Sequence, residues 1–155
     1  MPFQGPSIQA FRDSRVAAHA AALEAEDRGR LLTALVETSG SVGNLLATQH
    51  GGPAYDVSVT VNYLTRVADT HIAEVRDGLG SATFAAYFGV TEFCSQDSRK
   101  TGRRWSVTWR HNGGGSGRPT HIQADGLTVP VGQPFGVTPA MGSVGCACTA
   151  EPNLR

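Results

Sequence analysis

The spacing of apolar residues changes once along this chain, near residue 100, and that change limits the fold more than any other feature. Before it, apolar residues return every three or four positions, the spacing of one helix face. Beyond it they alternate with polar residues, as in a half-buried strand. The chain therefore reads as α+β. An N-terminal helical region of about four helices packs on a small C-terminal antiparallel β/loop module. The division is expected between a helical region, residues 1–80, and a C-terminal module, residues 81–155, that the fourth helix opens. At 155 residues the two parts are expected to form one continuous domain.

The helical part has recognisable punctuation. Pro6 and Ser7 can open a helix, proline in a first turn and serine as its cap. Ile8, Phe11, Ala18 and Ala22 then recur at helical spacing. The pattern continues from Arg28 through Leu31, Leu35, Val42 and Leu46, with a break predicted between Ser39 and Gly43 because of Gly40 and Gly43. His50-Gly51-Gly52-Pro53 is a stop. Asp56 can cap a third helix whose apolar face runs Val57, Val61, Leu64, Ala68, Ile72, Val75 and Leu79. Alternation over Val57–Val61 also suits a short strand, but the face continues for several turns and favours helix. Gly78 and Gly80 are expected to end it. Ser81 opens a fourth helix through Phe84, Tyr87, Phe88, Val90 and Phe93 to about Ser98. Its aromatics lie nearly all round, which predicts the buried central helix.

Trp105, Val107 and Trp109 alternate with Ser106, Thr108 and Arg110, placing both tryptophans on one strand face. Phe84 and Phe88 are the expected partners of Trp105 and Trp109 in a shared core. The glycine-rich loop Asn112–Gly117 lacks the Gly-Lys-Ser/Thr ending of a phosphate loop, and no helix is expected after it. Asp125-Gly126 is a turn, and Leu127, Val129 and Val131 form a strand that Pro130 confines to an edge. The prolines and glycines beyond Gly132 predict an irregular segment anchored by Phe135 and Met141. Glu151–Arg155 reads as a tail.

Charge excludes little. Thirteen basic residues balance thirteen acidic ones, so no global field steers the chain to nucleic acid or an anionic membrane. The six basic residues from Arg99 to Arg118, with no acidic one among them, read as a solvated helix end. A weak DNA contact through the same stretch is the competing reading. Aromatic interleaving is limited to Trp105 and Trp109, which disfavours it. No apolar run approaches the length of a bilayer span, so no membrane partner is expected. The N-terminus lacks a basic start followed by an apolar run, so no export signal is expected either.

Three cysteines in a chain without an export signal point to metal ligation or free thiols rather than a disulfide framework. Cys146 and Cys148 alternate, so an extended backbone puts both thiols on one side. With His121, and Cys94 as a fourth ligand, they make a Cys₃His set that suits zinc. The alternative is that the cysteines are small buried hydrophobes, since structural zinc sites more often space ligands as Cys-x₂₋₄-Cys. His121 is also a candidate for a hydrogen-bonded pin, with Asp125 as its partner. Its position and that of the Cys-x-Cys, at the two ends of the irregular segment, predict that they converge. No third residue orients a Cys–His pair, so no catalytic residue is assigned.

Thr91-Glu92 near a helix end, Arg103-Arg104-Trp105, Arg118-Pro119-Thr120-His121, Asp125-Gly126, Pro134-Phe135 and Cys146-Ala147-Cys148 follow one another over about the last 65 residues. This order resembles the C-terminal domain of the phage Mu F-like minor head (head morphogenesis) proteins. The chain departs from that family at Ala147, where the family usually carries arginine, and in its shorter length. The resemblance implies a virion component inside a tailed-phage head, made in the host cytoplasm and present in one or few copies near the portal. It implies the portal or the major capsid protein as partners and no established enzymatic activity. Two other classes stay open: a small capsid cement or head–tail connector protein, and a Cys/His-dependent enzyme or toxin-like domain.

Overall fold

The computed structural model describes residues 7–73, 77–111, 119–131 and 146–155. They form α1 (Ile8–Glu24), α2 (Arg28–His50), α3 (Val57–Ala73), α4 (Gly78–Thr101), β1 (Trp105–Arg110), α5 (Pro119–Ala124), β2 (Thr128–Pro130) and β3 (Thr149–Leu154). The three strands make one antiparallel sheet in the order β2-β1-β3. The α+β architecture expected from the change of period is the one observed. Among the described residues no helix is long and apolar enough to cross a membrane.

The caps follow the sequence. Ser7 accepts the Ala10 N–H at 3.0 Å, and Asp56 accepts the Ser58 N–H at 3.0 Å ahead of α3. The first break does not fall where the glycines suggested. It lies at Ala25–Asp27, where Glu26 takes a left-handed conformation (φ 51°) and Asp27 caps α2 through the Arg30 N–H. Gly40 and Gly43 instead stay inside α2, and at Gly43 a neighbour packs against the backbone. A Cβ on Gly43 would sit 2.5 Å from the Tyr55 ring.

Gly78 and Gly80 likewise begin α4 rather than end α3. Asp77 caps α4 by accepting the Gly80 N–H at 2.7 Å. The helix crosses the expected division at residue 80 and stops at Gly102, in the left-handed conformation (φ 77°) that ends many helices.

α4 is the central helix, packing on α1, α2 and the sheet. Its aromatics are not the reason. Phe84, Tyr87 and Phe88 are only half-buried, while Ala82, Ala85, Ala86 and Gly89 are buried. Small residues let its neighbours come close. A Cβ on Gly78 would lie 2.7 Å from the Val16 carbonyl of α1, and one on Gly89 2.6 Å from the Ser39 carbonyl of α2. Gly89→Ala is therefore expected to lose about 1–3 kcal/mol of stability by overpacking, although alanine is the better helix former by about 1 kcal/mol. Urea unfolding measures this, and a gain in stability would show that the helices do not approach so closely.

Among the described residues the buried apolar side chains form two clusters. One lies between the helices and contains Leu31, Leu35, Leu64 and Ala85, with Phe84 and Phe88 at its rim. The other joins Val42, Leu46, Val90 and Phe93 to Trp105, Val107 and Trp109. Helices and sheet thus share a core, but Phe84 and Phe88 are not the tryptophans' partners. Phe88 stacks on Tyr63 at 4.7 Å, while Phe93 meets Trp105 edge-on at 5.4 Å. Five residues of helix turn a side chain by about 140°, so Phe88 and Phe93 serve different faces.

The C-terminal residues 151–154 are not a tail. β3 pairs with β1 along its whole length, from Trp105 opposite Leu154 to Arg110 opposite Thr149. β2 is an edge strand, as Pro130 required. The loop 112–117, Arg118, Val75, Pro134-Phe135, Met141 and the side chain of Ile72 lie outside the described residues.

Candidate metal centre

His121 sits on α5, a single short helix that the irregular reading of this region did not anticipate. The turn after it folds back on β1. Gly126, at φ 84°, donates its N–H to the Trp109 carbonyl at 2.8 Å, and the Trp109 N–H donates to the Leu127 carbonyl at 2.9 Å. Asp125 does not pair with His121. Its carboxylate accepts the His111 N–H instead. The result seats the His121 ring edge-on to Trp109, with centroids 5.1 Å apart.

Cys146 and Cys148 lie just before β3, and the helical half holds them through their carbonyls. The Thr83 hydroxyl of α4 donates to the Cys146 carbonyl at 2.7 Å. The Arg12 guanidinium of α1 donates to the Thr83 oxygen at 2.9 Å and to the Cys148 carbonyl at 3.3 Å. Arg12 is only 1% exposed, and Asp13 balances its charge at 2.6 Å.

The two thiols face one histidine nitrogen. His121 Nδ1 is 3.6 Å from Cys146 Sγ and 3.7 Å from Cys148 Sγ. The candidate ligand atoms all lie within 4.8 Å of one another. Tetrahedral zinc, with Zn–N of about 2.0–2.1 Å and Zn–S of about 2.3 Å, places nitrogen and sulfur about 3.6 Å apart. The donor set and its spacing therefore fit a metal such as zinc. The convergence of His121 with the Cys-x-Cys, expected from their places in the chain, is observed.

Cys94 is not part of this group. It is buried against Phe93 and Trp105 in the core, where burial, helped by the charge of Asp97, raises its thiol pKa to about 12. It behaves as the small buried hydrophobe of the alternative reading. The Cys148 thiol is also held well above its ordinary pKa, first by its hydrogen bond with Cys146 and then by burial, with Trp109 and Arg12 pulling the other way. The Cys148 thiol thus keeps its proton without a metal, and a metal would displace it on binding.

The cluster is closed. His121 and Cys146 have no exposed surface, and Cys148 is 2% exposed. His121 Nε2 finds no hydrogen-bond partner among the described residues, so Nδ1 is the nitrogen turned to the thiols. Arg12 and Thr83 are the positioning residues that reading the sequence missed. The signal was present for Arg12, which shares a helical stripe with Ile8, His19 and Ala22. Such a stripe normally excludes arginine unless its charge is matched inside. Compared with family models, curated proteins and solved structures, the chain matches none.

Proposed function

We propose that this chain is a non-enzymatic structural component of a tailed-phage head, similar to the Mu F-like minor head proteins, with zinc tying its C-terminal module together. One observation carries the reading: His121, Cys146 and Cys148 meet in a sealed cluster. Catalytic zinc sites keep an open position for water or substrate, whereas structural sites are enclosed. A nucleophilic thiol needs a lowered pKa and access. Cys148 has a raised one and is buried.

Support for the family comes from the same cluster. The His121 segment, the Asp125-Gly126 turn and the Cys-x-Cys carry the resemblance, and they pack as one unit on the tryptophan strand. The proposed partners are the portal and the major capsid protein, and the proposed location is the virion.

A pull-down against the head proteins of the same particle, with copy number per virion from quantitative mass spectrometry, tests the reading. Capture of the portal at one or few copies per particle is expected. Many copies on the capsid lattice would assign a cement protein instead. An activity that disappears in Cys148→Ala, with circular dichroism unchanged, would make the protein an enzyme.

A further inference from the structure

A second feature lies at the opposite end of β1 from Trp109. The last turns of α4 and the ends of the strands enclose an open groove of about 450 Å³. Its polar lining is Ser95, Ser98, Arg99, Arg104 and Arg155, with no acidic side chain among the lining residues.

Two of these arginines are forced together by the sheet. The register sets Trp105 opposite Leu154, so one step outward sets Arg104 opposite Arg155. The Arg155 N–H donates to the Arg104 carbonyl at 2.8 Å, which fixes that pairing. Like charges directly opposite on neighbouring strands repel. Neither side chain makes an ion pair with a described residue, and both residues are exposed. The third, Arg99, is 62% exposed and reaches Glu92 only at 3.6 Å. Their neighbours in sequence are spoken for: Arg103 pairs with Asp97 at 2.6 Å and Arg110 with Glu151 at 3.1 Å. Of the basic run read in the sequence, the groove takes Arg99 and Arg104 and adds Arg155, which came from the supposed tail.

We propose that this groove binds a phosphate group, clamped by the guanidinium forks of Arg104 and Arg155 and completed by Arg99 and the hydroxyls of Ser95 and Ser98. Arginine forks match phosphate oxygens two at a time, and bound anion would relieve the cross-strand repulsion. Trp105 is 4% exposed and its indole N–H is committed to Asp97, so it offers no stacking surface for a base. Recognition is therefore of the phosphate and is independent of nucleotide sequence. The phosphate is either free or part of a nucleic-acid strand, and the experiment separates the two.

Binding of a fluorescein-labelled 15-nucleotide oligothymidylate is followed by anisotropy across a salt series, with inorganic phosphate and polyglutamate as competitors. The double variant Arg104→Gln/Arg155→Gln is expected to bind about tenfold or more weakly and to lower the salt slope by about 1.4. Arg110→Gln, on the same strand but outside the groove, is expected to bind as the wild type does. Melting temperature controls for folding, since all three side chains are exposed. Competition by millimolar inorganic phosphate would identify a free-phosphate site. Retained oligonucleotide binding under the same phosphate would identify the strand as the source. Unchanged binding in the double variant, equal loss in Arg110→Gln, competition by polyglutamate at matched charge, or no binding of either phosphate source would overturn the proposal.

Discussion

Purified protein is expected to carry zinc, and removing it with a chelator should lower the melting temperature by about 8–16 °C. Zinc held a thousandfold above its dissociation constant stabilises the folded state by about 4 kcal/mol, and each kcal/mol moves the midpoint of a chain this size by about 2–4 °C. The effect is large because the ligands join distant segments. Cys146 lies 25 residues from His121, and the Cys148 carbonyl is held by Arg12 from 136 residues away. Cys146→Ser and His121→Ala should each abolish zinc binding and reproduce the chelated melt. Hydrogen exchange should locate the damage. The Trp109 and Gly126 amides, which bind the α5 turn to β1, should lose protection, while the buried middle of α2 keeps it. Metal analysis of the purified protein and paired melts with and without zinc check this. Superimposable melts and a metal-free preparation would leave a histidine packed on two cysteines, a weaker tie.

Asp97→Ala is expected to cost about 1.5–3 kcal/mol, because it removes a charged acceptor and leaves the buried Trp105 indole N–H without its partner. The Asp97 side chain is 1% exposed and serves three elements. Arg103 donates to both of its oxygens, at 2.6 and 2.9 Å. The Trp105 indole N–H donates at 2.8 Å and the Thr101 hydroxyl at 3.3 Å. Arg103 also donates to the His50 carbonyl at the end of α2, so the carboxylate links α2, α4 and β1. Even the backbone is shaped around it: a Cβ on Gly52 would fall 2.7 Å from Asp97 Oδ1.

The hydrogen bonds from Arg103, followed by those from Trp105 and Thr101, hold the Asp97 carboxyl below its ordinary pKa against the opposing effect of burial. A depressed folded-state pKa means that the unfolded chain takes up the proton first as pH falls. The stabilisation is therefore fully present above about pH 4, the ordinary carboxylate range, and is lost as pH drops through the folded-state value. Denaturation between pH 7 and pH 3 should show the wild type losing stability toward acid more steeply than Asp97→Asn. Parallel pH profiles would show that the carboxylate does not carry this dependence.

Several parts of the molecule were legible because their signals are local. Ser7 and Asp56 announce helix starts by a side chain that reaches its own next turn. The alternation Trp105, Val107, Trp109 announces a strand, and Pro130 an edge, because a missing N–H is tolerated only there. The metal candidates were legible by residue type, and the alternation of Cys146 and Cys148 already put both thiols on one side of the chain.

Glycine shows where local signals mislead. Gly40, Gly43, Gly78 and Gly80 read as helix breakers, yet all lie within helices. Helix propensity differs by about 1 kcal/mol between glycine and alanine, and at Gly43 and Gly78 close packing against Tyr55, Val16 and Ala20 outweighs it.

The sequence by itself determined the α+β class, the place where helix gives way to sheet, the tryptophan strand, and the histidine and cysteines that could hold a metal. Only the tertiary structure decided which of them meet. Cys94 satisfied the same chemical rule as Cys146 and Cys148 but packs among Phe93 and Trp105, because the face of α4 on which it lies is turned to the core. In β3, Ala150, Pro152 and Leu154 alternate with Thr149, Glu151 and Asn153 and lie opposite the tryptophan row of β1. Pro152 disguised the strand, and it is tolerated because β3 is an edge. Arg12 and His19 are polar residues with no exposed surface to speak of. They are buried because α2 and α4 provide their partners: Thr38 and Ser81 on either side of His19, and Thr83 for Arg12. Local spacing fixes where a side chain can point. What waits there depends on segments tens of residues away, and that is decided when the helices and the sheet close on one core.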